Sequence, residues 1–385
     1  MGIYRSFLSL LLILLLSNPL GISALVNENK TLFKLSKPDE FPIPEEIIKI
    51  TREKLQQSLE KYRFNGTALV AVNGEIIFEE ARGFANFTTK KPIYLESSFQ
   101  LASVSKPFTA LSIMILKERS LLDYDDLIVK YLPEFPYPDV TIRHLLNHTS
   151  GLQNYMFLVD NYWENDHSIS NQEMLNLMIS HNLPLNYLPG RRFAYSNTGY
   201  AILALLTEKI SGQYFGDFLQ AEVFNKIGMT QSFVYDRIRI EQDSNQVIGY
   251  YSHSRRSRPY SHDPNNEILG DKSVYSTVGD LFKFTQALNN YELVEKAILD
   301  EAYSSTLLRN KYKVNYGFGW RLQEEDNHNY IFHNGAWHGF TSTITQEIDD
   351  KITLVLLNNT NASITTIKND FLQIVHEQFE PYLKK

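Results

Sequence analysis

The sequence predicts an α+β fold in which one antiparallel sheet, assembled from both ends of the chain and flanked by terminal helices, is interrupted by an all-helical insertion. Three observations carry that expectation. Thr67–Val72 and Glu75–Phe78 flank Asn73-Gly74, the dipeptide that supplies two positive φ angles for a type I′ hairpin turn. Strand-like segments return at Tyr316–Leu322, Tyr330–Phe332, Phe340–Ile348 and Lys351–Leu357, with Asp349-Asp350 marking the last turn. Between about Asp123 and Gly270 the chain is helix and loop in character, without convincing alternating strand pairs.

The chain has 385 residues, 43% hydrophobic and 13% aromatic, which is ample material for a core. A formal charge of -7 offers no broad basic field, so nucleic acid is not an expected partner. The absence of Cys excludes disulfides, thiolate catalysis and cysteine-ligated metal.

Taken in order, residues 1–24 read as a secretory signal peptide: an early cation at Arg5, an apolar run from Phe7 to Leu16, a break at Pro19 and Gly21, and small residues at Ser23 and Ala24. The run is roughly 15 Å long as helix against a bilayer core of roughly 30 Å, so it makes no stable span by itself. If it is kept rather than cut, Leu20, Ile22, Leu25 and Val26 extend it into an anchor; either way the expected location is secreted or periplasmic. Residues 25–43 form a polar linker, and 44–385 the folded domain, with an α/β part at about 44–122 and 271–385 and the insertion at about 123–270. Pro44–Tyr62 carries Ile47, Ile48, Leu55 and Leu59 at helical spacing, and a closing helix is expected over Ser363–Phe379.

The stretch Phe99–Met114, F-Q-L-A-S-V-S-K-P-F-T-A-L-S-I-M, places Ser103 and Lys106 three residues apart, on one helical face. A simple N-cap explains a Ser before an apolar helical run, but not a cation in the first turn, where it opposes the helix dipole. A nucleophile beside its proton acceptor explains both. Within the insertion, Thr141–Leu152 reads as a short helix with His144 and His148 at i, i+4, a spacing open to a metal pair or to packed core histidines. Leu145 stands where a zinc-protease helix needs its Glu base. Tyr155–Trp163 reads as an aromatic loop, either walling a pocket or simply packed. Pro189–Tyr200 reads as a turn into a helix over Ala201–Ile210, with further helices at Glu222–Thr230 and Asp280–Leu288.

Three short motifs then stand in order: Ser103-Val104-Ser105-Lys106, Tyr195-Ser196-Asn197 and His333-Asn334-Gly335. With their flanks H-L-L-N-H-T-S-G-L (His144–Leu152), P-G-R-R-F-A-Y-S-N-T-G-Y (Pro189–Tyr200), Y-G-F-G-W (Tyr316–Trp320) and H-N-G-A-W-H-G-F-T-S (His333–Ser342), they resemble the penicillin-recognising serine hydrolases. That family includes class C beta-lactamases, D-alanyl-D-alanine carboxypeptidases and related esterases. Ser58-Leu59-Glu60-Lys61 and Lys226-Ile227-Gly228 match single motifs, but one lies late in an amphipathic helix and the other in a helical turn.

The resemblance implies a beta-lactamase-like fold and a covalent acyl-enzyme mechanism without metal or cofactor. It implies Ser103 as nucleophile, Lys106 as base, and Tyr195 as the group that protonates the leaving group and later activates water. Asn197 would bind substrate and hold Lys106, and the backbone N–H groups of Ser103 and Ala336 would hold the oxyanion. His333, Asn334 and Gly335 would line the substrate site. Most beta-lactamases of this family carry Lys-Thr-Gly at the third motif; His333 gives a weaker anion site than an ammonium, and a core histidine at a strand end is the rival reading that the flanking match argues against. His338 lies close by without an assigned role. The expectation is therefore an exported serine hydrolase of small-molecule or peptide substrates, cell-wall peptide among them, nearer a D,D-carboxypeptidase or esterase than a true beta-lactamase. A catalytically idle recognition protein of the same fold and a zinc hydrolase are the rival readings.

Overall fold

The hairpin, the segments near the other terminus and the helices around them come together in a computed structural model. It describes residues 43–383 apart from 237–238, 241–245, 254–255, 261–262, 326–327 and 350. The predicted leader and all but the last residue of the linker lie outside the described residues. From Glu45 onward the chain forms one compact unit.

Helix α1 (Glu45–Lys61) leads into β1 (Gly66–Val72) and β2 (Glu75–Arg82). Asn73 and Gly74 between them have φ of 52° and 80°, the two left-handed residues a type I′ turn requires. Strand β1 pairs on its other side with a strand nearly three hundred residues later in the chain. Strands β3 (Arg321–Glu325), β4 (His328–Trp337), β5 (Phe340–Glu347) and β6 (Ile352–Asn358) follow one another antiparallel, and β6 closes on β1 with Leu69 opposite Val355. The six-stranded order is β3-β4-β5-β6-β1-β2.

Every residue of β1 and β6 is buried, which explains why both read as continuous apolar runs rather than half-exposed alternations. Leu69, Ala71, Val355 and Leu357 join the main core cluster, whereas Val70, Leu354 and Leu356 point the other way. That second face takes α1 and the closing helix α10 (Ile364–Leu383), with Phe78 edge-on to Phe371 at 6.0 Å. The main core is built around α2 (Lys106–Glu118), buried from Lys106 to Leu116. A helix apolar on all sides is a core helix. It packs against α7 (Asn197–Ser211), and Phe108 stacks on Phe284 of α9 (Val278–Asn289) at 4.1 Å. Among the described residues no helix is long and apolar enough to cross a membrane.

The intervening segment is largely helical, with a 3-10 turn at Ile128–Lys130, then α3 (Ile142–Leu146), α4 (Tyr155–Tyr162), α5 (Asn171–His181), α7 and α8 (Phe215–Leu219, continued as a π-turn over Gln220–Phe224); the expected Glu222–Thr230 helix is displaced toward the N-terminus.

Two further differences from the sequence reading have physical causes. Tyr155–Trp163, expected as a loop, forms α4 because the Asn154 side chain caps it, accepting from the Met156 N–H, and because Tyr155, Leu158 and Val159 bury one face. Tyr250–His253 and Arg256–Pro259 pair as a small hairpin inside the segment read as strand-free, since neither run alternates apolar with polar. At the other end, Tyr316–Trp320 is a turn rather than the start of a strand, and β3 begins at Arg321. Gly319 sits there at φ 80°, where an added Cβ would lie 3.0 Å from the Lys106 carbonyl oxygen, a position that an L side chain would strain.

Strand β4 rests on the chain just before α2 at Gly335. A Cβ there would lie 2.3 Å from the Leu101 carbonyl oxygen and 2.4 Å from Ser342 Oγ, two atoms already joined by a 2.6 Å hydrogen bond. Gly335→Ala is therefore expected to destabilise the protein by about 1–3 kcal/mol in urea unfolding, the usual cost of overpacking. Gly279→Ala, in α9 where an added Cβ meets nothing, is expected to leave stability unchanged or raised.

Candidate active site

Phe99–Gln100 pairs with Val274–Ser276, and the Leu101 N–H donates to the Val274 carbonyl at 2.9 Å. Ala102 then adopts φ 50°, in the left-handed region that costs a non-glycine residue about 1–2 kcal/mol. A 3-10 turn over Ala102–Ser105 follows and runs into α2. The sequence reading put Ser103 and Lys106 on an α-helical face; the structure puts the serine on this tighter turn. With three residues per turn, positions i and i+3 eclipse. Lys106 Nζ accordingly lies 3.2 Å from Ser103 Oγ. The N-cap of α2 is Ser105, whose Oγ accepts the Val274 N–H, so the plain capping reading of Ser103 does not hold.

Lys106 is fully buried, and its Nζ has two further partners: Asn197 Oδ1 at 2.9 Å and the Asp271 carbonyl oxygen at 2.9 Å. Burial lowers its pKa to about 7; the Asp271 carboxylate opposes that shift and the Arg321 guanidinium adds to it. Tyr195 lies just before α7, with its ring 4.8 Å from Lys106 Nζ and its hydroxyl near enough to Ser103 for that side chain to bear on its pKa. The residue keeps 36% exposure, yet desolvation of its hydroxyl pushes the pKa well above the ordinary tyrosine value. It is a phenol, not a phenolate, at neutral pH. The first two motifs thus meet at one point.

The third motif lies in the middle of β4, and its histidine does not present a free nitrogen. The Ser196 N–H donates to His148 Nδ1 at 3.1 Å, leaving His148 Nε2 to donate to the Tyr316 hydroxyl at 3.0 Å. Tyr316 in turn donates to His333 Nε2 at 3.2 Å, and His333 Nδ1 donates to the Asn334 carbonyl at 2.8 Å. This assignment requires both imidazoles neutral. Burial, together with the Lys106 and Arg321 charges, holds both pKa values well below the ordinary histidine value. His148 has φ 59° and lies beyond the end of α3, while His144 Nδ1 serves the cap at Thr141, so the i, i+4 pair faces no common point. Asn334 Oδ1 accepts from Thr343 Oγ1 at 2.7 Å, and Ala336 is exposed beside the turn that Gly335 contacts. His338 is paired with Asp263 at 2.7 Å.

Three contributors escaped the sequence reading. Arg321, one residue past Y-G-F-G-W, stands with its guanidinium carbon 5.4 Å from the Tyr195 ring centre and supplies a cation beside the site. Asp271 and Lys272 form a buried pair at 3.1 Å, closed by Tyr155, whose hydroxyl donates to Asp271 and accepts from Lys272 at 2.6 Å. Lys272 thereby neutralises the Asp271 side chain, while the backbone carbonyl of the same residue holds Lys106. Nothing in the periodicity marked that pair, since an Asp-Lys dipeptide reads as a solvated turn. The two decoys resolve as structural: Ser58 and Lys61 both bind Asp370 of α10, and Lys226 pairs with Glu222.

Residues 51–377 match the beta-lactamase family. The chain is 38% identical over 311 residues to penicillin-binding protein 4* of Bacillus subtilis (strain 168), covering 78% of this chain and 69% of that protein. It is 23% identical over 300 residues to a D-aminopeptidase of Brucella anthropi, covering 76% of this chain and 56% of that one. The crystal structure of a penicillin binding protein from Bacillus halodurans shares the fold with a TM-score of 0.72 at 26% identity, over 84% of this chain and 99% of that one. A match spanning most of the chain, with homologues of these kinds, makes the conclusion plain: the chain belongs to the beta-lactamase family and is a serine hydrolase.

Proposed function

We propose that the protein works outside the cytoplasm as an acyl-enzyme hydrolase of peptide, amide or ester substrates bearing a carboxylate, in the manner of a D,D-carboxypeptidase or esterase. The observation that carries this is the dry amine of Lys106 beside Ser103, with its pKa lowered to about 7. In the neutral form its lone pair accepts the Ser103 proton while its two N–H groups stay on Asn197 and the Asp271 carbonyl. Ser103 Oγ adds to the substrate carbonyl, and the N–H groups of Ser103 and Ala336 receive the oxyanion. Collapse breaks the bond to the amine or alcohol, which takes the proton from Lys106 through the Tyr195 hydroxyl. Water then adds to the acyl ester by the reverse relay and frees the acid and Ser103.

Substrate preference follows from charge. His333 is neutral and internally paired, so it offers no anion site; Arg321 is the cation placed to meet a substrate carboxylate. The names of the relatives, a penicillin-binding protein and a D-aminopeptidase, support a peptide-like substrate. The signal-peptide pattern of residues 1–24 supports export.

The direct test is a substrate panel, a D-alanyl-D-alanine peptide, a p-nitrophenyl ester and a beta-lactam, with Ser103→Ala as control. Turnover of the peptide or ester, lost by about 10⁴-fold or more in a folded Ser103→Ala, is expected; a folded wild-type protein that turns over none of them overturns the reading. The pH dependence is fixed by the sign of the Lys106 shift: the base must be unprotonated, so kcat/KM is expected to rise with pH through about 7. Arg321→Gln removes a charge that lowers the Lys106 pKa, and the acidic limb should move to higher pH. Measured on the alkaline plateau, the same variant should lose about 10- to 100-fold in kcat/KM for a carboxylate-bearing substrate and little for a neutral ester, the range expected for hydrogen bonds to a charged group.

A further inference from the structure

At the start of β4, five residues before His333, three side chains from three elements converge. Glu347 ends β5, 1% exposed; His328 begins β4; His376 lies on α10. Because Tyr330 is the residue paired with Glu347, His328 is its diagonal neighbour on the same face of the sheet. One carboxylate oxygen of Glu347 meets His328 Nδ1, and the other lies 2.6 Å from His376 Nε2. The two imidazole rings stack at 4.2 Å with 11° between their planes, each aiming a nitrogen at the one carboxylate. All three donor atoms fall within 4.8 Å of one another.

We propose that His328, Glu347 and His376 bind a divalent transition-metal ion, zinc by the chemistry of the donors, which fastens α10 to the end of the sheet. Two imidazole nitrogens and one carboxylate oxygen are the donor set that zinc takes at about 2.0–2.2 Å. Donors at that radius around one ion lie about 3.2–3.5 Å apart, so the observed cluster reaches it by small side-chain rotations. The ion replaces the protons that the imidazoles otherwise direct at Glu347, and it meets the charge of a carboxylate that water does not reach. The His328 and His376 side chains keep 14% and 21% exposure, which leaves an entry path for the ion from the histidine side. His328 is five residues from His333 along β4, about 17 Å, so the ion takes no part in the acyl chemistry.

The test uses the full chain, stripped with a chelator and dialysed, then titrated with ZnCl2 by calorimetry and followed by thermal unfolding. One zinc per chain and a raised Tm are expected, and CoCl2 should give the visible bands of a four-coordinate nitrogen and oxygen site. Glu347→Gln and His376→Gln should each weaken zinc binding by more than about 100-fold, beyond what loss of an outer-shell partner costs, with ester hydrolysis unchanged. If Glu347→Gln does not fold, His376→Gln, partly exposed on its helix, carries the comparison. Absence of saturable one-to-one binding in the wild-type protein, or binding undiminished in the folded variants, overturns the proposal.

Discussion

The structure depends on one buried amine. Lys106 has no exposure, and an ammonium in such a place is expensive unless every N–H finds an acceptor. Its three acceptors come from three separate stretches of chain: Ser103 on the adjoining turn, Asn197 at the start of α7, and the Asp271 backbone. Desolvation pulls the pKa down, Asp271 pulls it up and Arg321 pushes it down again, and the balance near 7 leaves the group able both to take and to return a proton. A more exposed lysine would stay charged and could not act as a base. One buried without acceptors would strip the fold of stability.

The charges that set this balance are few, and the rest of the site is either paired or neutral. The Asp271 carboxylate, which raises the Lys106 pKa, is itself held by Lys272 and Tyr155. Tyr316 is the hub of a chain of hydrogen bonds running from Ser196 through His148 to His333, and every member of it is neutral. That chain joins the helical segment to β4, so the motif carried by α7 and the motif carried by β4 keep a fixed separation. The strained Ala102 and the bare Cα of Gly335 complete the arrangement, bringing β4 against the turn that carries the serine.

What could be read from the sequence divides along a physical line. The hairpin at Asn73-Gly74, the strands β5 and β6, and helices α1, α2 and α10 were legible because periodicity and turn chemistry decide them locally. Ser103 and Lys106 were legible because a cation in a first helical turn is costly and asks for a reason. Tyr155–Tyr162 was not, because its helix is stabilised by an Asn cap and by burial rather than by propensity. Asp271, Lys272 and Arg321 were not, because a charged residue reads as solvated until tertiary contacts enclose it. His333 shows the same limit: the sequence placed it at the site, while only the structure shows both its nitrogens spent within the protein.

The central claim is that Ser103 Oγ is the atom acylated. Incubation with an active-site-directed fluorophosphonate, followed by proteolysis and mass spectrometry, tests it most directly. The account predicts a single adduct on Ser103, formed faster as pH rises through about 7 with the deprotonation of Lys106. An adduct on any other residue, or none on folded protein across that range, would contradict it.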